Sequence, residues 1–191
     1  MREFYAGSRR DVDKGFWMSF ENHPRLAETK KKIYSRCVPC LEKLYEQLSL
    51  VPAPTGLILE EPLNCWKVVV VMDSEEECLS LLEAYQEERL PLPPSQSLRG
   101  RIGTRDKTIP GVAMIFHIHS EEQRDALFAD LQRLAAGQCS PAKIFIECGC
   151  GDIYGALLGD WHSWQGKTPI KNAQLMPAIR ERVARLLRGE Y

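Results

Sequence analysis

Four of the seven cysteines fall in two close pairs, a spacing suited to binding a metal ion. The first pair is a CxxC sequence and the second is a CxC sequence, so together they supply the four thiolates of a closed tetrahedral zinc site. Zinc is therefore one candidate cofactor, with these ligands: Cys37, Cys40, Cys148 and Cys150. The competing interpretation is that these side chains pack the core, because free cysteine is among the most buried residue types.

The first pair also suggests thiol redox chemistry. An apolar helical stripe follows Cys37 to Cys40, and the start of a helix lowers the pKa of the first thiol while the second thiol resolves a mixed disulfide. The motif resembles the active-site motif of the thioredoxin family, and Ile109-Pro110 before a strand resembles that family's cis-proline. The resemblance covers these few residues and implies a redox enzyme. Because the strand order after Pro110 differs from that family, the redox enzyme is an alternative interpretation.

Two histidines are alternate residues of one predicted strand. His117 and His119 therefore point to the same side of the sheet, away from Phe116 and Ile118. Such a pair can bind a metal ion or another ligand. Asp73 ends the other central strand, which we predict to run parallel to the first, and is the expected carboxylate neighbour. A half-exposed polar sheet face or a dimer seam is the competing interpretation.

The densest positive charge of the predicted core lies in a loop at residues 99–107. Glycines between its basic residues let backbone amides approach an anion, and arginine binds phosphate or carboxylate through paired hydrogen bonds. We therefore predict a site for a small anionic ligand in this segment, formed by Arg99, Arg101, Arg105 and Lys107. Nucleic acid is a further candidate partner of the same residues. The competing interpretation is an exposed, mobile hairpin tip between the second and third core strands.

An aromatic segment near the C-terminus is the last candidate. Trp161 and Trp164 are placed to form one wall of a small-molecule pocket, with Asp160 and His162 making polar contacts. Tryptophans in loops also anchor the loop to the core, so both interpretations stay open.

Two stretches repeat the pattern of an apolar strand followed by a capped helix. The stretches 68–77 and 113–123 each contain a capping box, with Ser74 three residues before Glu77 and Ser120 three residues before Gln123. Apolar residues then recur at helical spacing, namely Cys78, Leu81, Leu82 and Tyr85 in one helix and Leu127, Leu131, Leu134 and Ala135 in the other. A further strand follows each helix, at 98–104 and at 143–148.

This order of elements predicts an α+β fold with a ferredoxin-like βαββαβ core, which is a four-stranded antiparallel sheet with two helices on one face. Additional N- and C-terminal helices flank it. We predict three regions: an N-terminal arm and helix with a linker (1–54), the core with the aromatic loop (55–170) and a C-terminal helix (171–191). That last helix, at about 172–188, carries an apolar stripe formed by Leu175, Ile179, Val183 and Leu186.

Composition excludes several classes of protein. The 191 residues carry 25 Lys plus Arg against 26 Asp plus Glu, and a net charge of -1 gives no general attraction to nucleic acid or anionic membranes. A chain of this length buries enough surface for a conventional core without disulfides. No secretion signal is evident, and no apolar run approaches the ~20 residues that span a bilayer. We therefore expect a cytoplasmic protein without membrane contact.

The combined expectation is a non-catalytic ligand- or metal-binding or assembly module. We expect it to form a homo-oligomer, such as a homodimer, through its sheet or flanking helices. The sequence does not bring together a nucleophile, a base and an orienting group, so no catalytic residue is assigned. A thiol redox or metal-dependent enzyme that uses the cysteine and histidine clusters is one alternative, and recognition of an anionic ligand or nucleic acid by the basic segment is the other.

Overall fold

The computed structural model describes residues 5–6, 10–12, 15–21, 38–89, 99–104, 111–118, 120–137 and 142–188. The fold is mixed α+β, with five α-helices in this described part of the chain. The strands are β1 Tyr5–Ala6, β2 Arg10–Val12, β3 Gly15–Glu21, β4 Gly56–Ile58, β5 Trp66–Met72, β6 Arg99–Thr104, β7 Val112–Ile118, β8 Lys143–Cys148 and β9 Lys167–Pro169. The helices are α1 at 38–48, α2 Glu75–Arg89, α3 Glu121–Ala136, α4 Gly151–Leu158 and α5 Met176–Leu187.

The chain divides into two compact units. The sheet unit comprises Met1–Leu26 and Trp66–Glu147, and the terminal unit comprises Ala27–Cys65 and Cys148–Tyr191. This division differs from the predicted boundaries at residues 54 and 170. The aromatic segment belongs with the C-terminal helix because α4 and the residues after it pack with α5, whereas the first strands of the chain join the main sheet.

The main sheet has the strand order β3-β6-β7-β5-β8. The pairings of β3 with β6, β6 with β7 and β7 with β5 are antiparallel. In the longest of these ladders Trp66 lies opposite Ile118 and Met72 lies opposite Val112. The two strands that precede helices α2 and α3 are thus neighbours, and their apolar residues form the centre of the core: Val68, Val70, Met72, Met114, Phe116 and Ile118.

The N-terminal arm extends this sheet beyond the four predicted strands. Strand β3 pairs with β6 over six residues, and the short strands β1 and β2 pair with β3. Phe20 of β3 packs against Phe116 with ring centroids 5.1 Å apart. The prediction of four strands is therefore wrong in number, because the arm carries an apolar alternation of its own, at Phe16, Met18 and Phe20, and forms a further strand.

Both predicted capping boxes form hydrogen bonds at their helix starts. The amide of Glu77 donates to the Ser74 hydroxyl over 3.2 Å, and the Glu77 carboxylate accepts from the Ser74 amide over 3.1 Å. At α3 the amide of Gln123 donates to the Ser120 hydroxyl over 3.2 Å. The caps fix where α2 and α3 begin, immediately after β5 and β7.

The apolar residues predicted at helical spacing in α2 and α3 lie on the inner faces of these helices. All four stripe residues of α2 are buried, as are Leu127, Leu131 and Ala135 of α3. The guanidinium of Arg124 in α3 lies 4.2 Å from the centre of the Trp66 ring, so α3 packs on the side of the sheet that carries Trp66.

The terminal unit contains a two-stranded sheet, β4 with β9, and helices α1, α4 and α5. Gln47 of α1 binds the backbone of β4 at Ile58, because its side-chain oxygen accepts from the Ile58 amide over 2.7 Å and its side-chain nitrogen donates to the Ile58 carbonyl over 3.2 Å. Asn172 donates to the carbonyl of Ala156 over 2.7 Å and so ties the start of the C-terminal segment to α4.

The C-terminal helix is shorter than predicted. Residues Ala173–Leu175 form a 3-10 turn, and α5 begins at Met176. Within the predicted stripe Ile179 and Val183 are buried, whereas Leu175 is exposed because it lies in the turn before the helix. Arg182 pairs with Asp152 of α4.

None of the helices in the described ranges is long and apolar enough to cross a membrane.

Substitution of Gly100 by alanine should destabilise the protein strongly. A Cβ at this position would overlap the carbonyl oxygen of Ile115 and the ring of Phe20, and relief of such overpacking costs about 1–3 kcal/mol. The matched control is Gly155→Ala in α4, where a Cβ meets nothing within 4 Å. We expect that control to be neutral or stabilising by about 0.5–1 kcal/mol. Urea unfolding of both variants checks the contrast, and equal stability of the two would contradict the close approach at Gly100.

Substitution of Ser74 by alanine should lower the free energy of unfolding by about 1 kcal/mol, because the Glu77 amide loses its acceptor. Ser80→Ala is the matched control, since Ser80 is an exposed residue inside α2. Thermal unfolding followed by circular dichroism compares the two variants. A loss at Ser80 as large as that at Ser74 would show that the cap is not the cause.

Candidate functional site

The side of the main sheet opposite Trp66 carries a group of basic residues. Lys67 of β5 lies directly opposite His117 of β7 in the antiparallel ladder. Their neighbours along the strands, Trp66 and Ile118, are buried, whereas Lys67 and His117 are half-buried. Side chains alternate along a strand, so the two polar residues share the face turned away from the apolar core. His117 thus lies on the face predicted for it, and its role in ligand binding stays a prediction; His119 lies outside the described residues.

Strand β6 adds two arginines to this face. Arg101 lies opposite Ile115, which is two residues from His117 on β7, and so it shares the face of His117. Arg99 precedes Gly100, which lies opposite Phe116, and this register places Arg99 beside His117. Arg101 is half-buried and Arg99 is buried. We call the four residues Lys67, Arg99, Arg101 and His117 the polar sheet face.

The predicted strand at 98–104 is confirmed, and it corrects the first half of the predicted basic loop. Residues 99–104 form strand β6 between β3 and β7, so Arg99 and Arg101 are interior strand residues and not part of an exposed hairpin tip. The cause is the pairing with β3, which gives β6 a hydrogen-bonded neighbour on both sides. Arg105 and Lys107 lie outside the described residues.

The predicted neighbour of the histidines is also corrected. Strands β5 and β7 are antiparallel, so Met72 lies opposite Val112 while His117 lies opposite Lys67. Asp73 follows Met72 and is therefore at the other end of the ladder from His117. Its backbone amide donates to the Glu77 carboxylate over 3.0 Å, which makes it part of the helix start.

A second group of reactive residue types lies in the terminal unit. Cys40 of α1 and Tyr154 of α4 are both buried, and the sulfur of Cys40 lies 3.2 Å from the phenol oxygen of Tyr154. Burial raises the pKa of Tyr154, and the neighbouring Cys40 raises it further. The phenol therefore stays protonated at neutral pH and serves as a hydrogen-bonding partner in the core.

The other described cysteines of this unit are divided between buried and half-buried positions. The thiol of Cys148 donates to the carbonyl of Pro62 over 3.1 Å and is 1% exposed. Cys150 is the N-cap residue of α4, and the carbonyl of Cys65 accepts a backbone hydrogen bond from Gly149 over 2.7 Å; both side chains are half-buried. Gly149 has a positive φ of 66°, which allows the tight turn into α4.

These positions bear on the predicted zinc site. The described part of the chain contains no group of three or more His, Cys, Asp or Glu side chains placed to hold a metal ion, so Cys40, Cys148 and Cys150 do not form one. Cys37 lies outside the described residues. The four-thiolate site thus stays a prediction that the described residues do not support.

The aromatic segment forms a hydrogen-bonded turn. Asp160 accepts from the backbone amide of His162 over 3.1 Å, and its carboxylate lies 2.7 Å from Nδ1 of the same residue. The ring of Trp161 stacks on the His162 ring with centroids 3.8 Å apart. The hydrogen bond from the His162 side chain, and then that from its amide, holds the pKa of Asp160 below its usual value. Nδ1 of His162 is therefore occupied by Asp160.

The two tryptophans of the turn have different roles. Trp164 is buried, donates to the carbonyl of Gly159 over 3.2 Å and packs 6.0 Å from the Tyr154 ring, so it anchors the segment. Trp161 is half-buried. The anchor interpretation thus holds for Trp164, whereas Trp161 and His162 stay candidates for contact with a ligand.

Two residues of these sites were missed in the sequence. Lys67 is the one charged residue in the apolar run from Trp66 to Met72, and its position between two buried residues was a sign that it faces away from the core. No feature of the sequence indicated a role for Tyr154, because only the fold brings α4 against α1. Lys67 is the more informative of the two, since it adds a positive charge from a third strand.

Comparisons of the chain with protein-family models, with curated proteins and with solved structures find no match.

Labelling of the folded protein with iodoacetamide at pH 8 should separate the cysteines by burial. We expect Cys78 to stay unlabelled, because burial and then the negative charges of Glu77 and Glu75 raise its pKa to about 12. We expect burial alone to protect Cys40 and Cys148 from the reagent. We expect the half-buried Cys65 and Cys150 to be labelled. Mass spectrometry identifies the labelled sites, with urea-unfolded protein as the control. Rapid labelling of Cys40 would contradict its buried contact with Tyr154 and would favour the redox enzyme.

Proposed function

We propose that this protein is a non-catalytic ligand-binding module with a ferredoxin-like core, and that the polar sheet face binds an anion. The strand order β6-β7-β5-β8, with α2 after β5 and α3 after β7, supports the ferredoxin-like arrangement because it interlocks two strand-helix-strand halves. The contact of Arg124 with Trp66 and the hydrogen bond from Cys78 of α2 to the Val112 carbonyl of β7 support a placement of both helices against the Trp66 side.

The observation that carries the proposal is the meeting of Lys67, His117 and Arg101 on three neighbouring strands. Residues directly opposite in an antiparallel pair have Cβ atoms about 4.5–5.5 Å apart, so one small anion can reach side chains of adjacent strands. We assign the centre of the anion site to Lys67, Arg101 and His117, because these three residues are half-buried whereas Arg99 is buried.

Partial burial strengthens this site. Lys67, Arg101 and His117 are half-buried, and an ionic hydrogen bond is stronger there than at a fully solvated surface. The residues also lie inside strands that are paired on both sides, which fixes their backbone positions before a ligand arrives. Prepositioned donors of this kind lower the ordering cost of binding.

The proposal is tested by titration with inorganic phosphate, followed by the backbone and side-chain NMR signals of the polar sheet face. We expect saturable shifts of Lys67, Arg101 and His117 that weaken as the salt concentration rises. Lys67→Gln and Arg101→Gln should each lower the affinity about tenfold, the loss expected for one charged hydrogen bond.

Arg180→Gln is the matched control, because Arg180 is exposed on α5 in the terminal unit. It should bind phosphate as the unsubstituted protein does. Absence of shifts at the polar sheet face, or an equal loss of affinity in Arg101→Gln and Arg180→Gln, would overturn the proposal.

A further inference from the structure

Strand β8 forms one outer edge of the main sheet. Among the residues that the structure describes, β5 is the only strand that neighbours it. Lys143 is exposed, and all four residues from Ile144 to Glu147 are half-buried. In the central strand β7, by contrast, buried and half-buried residues alternate. Successive residues point to opposite faces, so partial exposure of every residue in turn indicates an edge strand that is uncovered on both faces.

A hydrogen bond just after β8 shows which backbone groups of this strand point to the open edge. The amide of Gly149 donates to the carbonyl of Cys65, the residue before β5, over 2.7 Å. The backbone groups of successive residues point to opposite edges of a strand, so every second amide back from Gly149, including that of Phe145, also points to β5. The N–H and C=O groups of Ile144 and Ile146 therefore point outward.

The side chains of β8 are charged near its two ends and apolar between them. Lys143, Phe145 and Glu147 are alternate residues and share one face. The ammonium group of Lys143 lies 5.6 Å from the centre of the Phe145 ring. Within the described part of the chain, neither Lys143 nor Glu147 forms an ion pair. Ile144 and Ile146 share the other face.

We infer that β8 pairs antiparallel with β8 of a second copy of this chain, so that the main sheets of two protomers join across a twofold axis. The axis passes between the two Phe145 residues, and Lys143 of each protomer lies opposite the partner's Glu147. Ile144 lies opposite the partner's Ile146, and these two residues exchange hydrogen bonds through their outward backbone groups. The inference does not depend on the proposed anion site, and it assigns the predicted homodimer to one strand.

Charge complementarity selects both the partner and the register. A strand with a lysine at one end and a glutamate four residues later is complementary to itself when antiparallel, so pairing forms two ion pairs. A shift of two residues in either direction would place a charged residue opposite Phe145 and break both pairs. Parallel pairing would bring like charges together. Charges on an edge strand deter other strands, and here a strand with the same order of charges relieves that repulsion.

Sedimentation velocity of the full-length protein over a wide range of concentrations tests the dimer. We expect an equilibrium between monomer and dimer that shifts to monomer as the salt concentration rises. Lys143→Glu and Glu147→Lys should each weaken the dimer about tenfold or more, because like charges then lie opposite each other twice in the interface. A protein that stays monomeric at every concentration would overturn the inference.

The matched control is Lys167→Glu, which reverses an exposed charge at the start of β9. It should leave the dimer unchanged. A loss of dimer in this control as large as that in Lys143→Glu would show that net charge, and not the pairing of β8, is the cause, and would overturn the inference.

The two charge reversals should restore each other's binding. In a mixture of Lys143→Glu and Glu147→Lys, each lysine again lies opposite a glutamate, so we expect a heterodimer about as stable as the unsubstituted dimer. The double variant should regain the homodimer for the same reason. Such recovery also shows that both single variants fold. Persistence of the dimer in both single variants, or a loss that neither mixing nor the double variant restores, would overturn the β8 interface.

Amide hydrogen exchange of the unsubstituted protein tests the backbone pairing without any substitution. The amides of Ile144 and Ile146 should exchange more slowly as the protein is concentrated, whereas that of Phe145, which points to β5, should change little. A dimer without this slowing would overturn strand pairing in favour of contact through another surface. Equally slow exchange of both amides in dilute monomer would show that a segment of the same chain covers the edge, which would also overturn the inference.

Discussion

The antiparallel register of β5 and β7 determines the rest of the sheet unit. The pairing of Trp66 with Ile118 places every second residue of both strands in the core and leaves Lys67 and His117 together on the other face. A shift of one residue would exchange the two faces, burying a lysine and exposing Trp66. The buried valines and methionines of this ladder thus hold the basic residues in place, since the same hydrogen bonds align both sets.

Local signals in the sequence predicted much of this arrangement. The serine caps at Ser74 and Ser120 marked the starts of α2 and α3, and the alternation around His117 gave its face correctly. These features depend on residues close together in sequence. Asp73 was misplaced because its neighbour depends on whether two distant strands run parallel or antiparallel, which alternation within either strand cannot show.

The position of β6 shows where the sequence left two interpretations open. The order of the elements predicted a strand at 98–104, which β6 confirms, yet its two arginines and two glycines also suited an exposed basic loop. The ladders to β3 and β7, which are distant in sequence, decide in favour of the strand. The cysteines show the same limit. Spacing suggested a shared metal site, yet Cys40 faces Tyr154 while Cys148 faces the Pro62 carbonyl, and only the packing of the terminal unit decides between these partners.

The contact between Gln47 and Ile58 has a consequence for the small sheet of the terminal unit. A side-chain amide has the same donor and acceptor as a peptide group, so Gln47 satisfies at Ile58 the two backbone groups that a third strand would bind. An incoming segment would have to displace this amide first. Ile58 is itself 57% exposed on a short strand, and an open strand edge with such a side chain invites intermolecular aggregation. Gln47 therefore blocks the pairing of a further strand with this edge of β4.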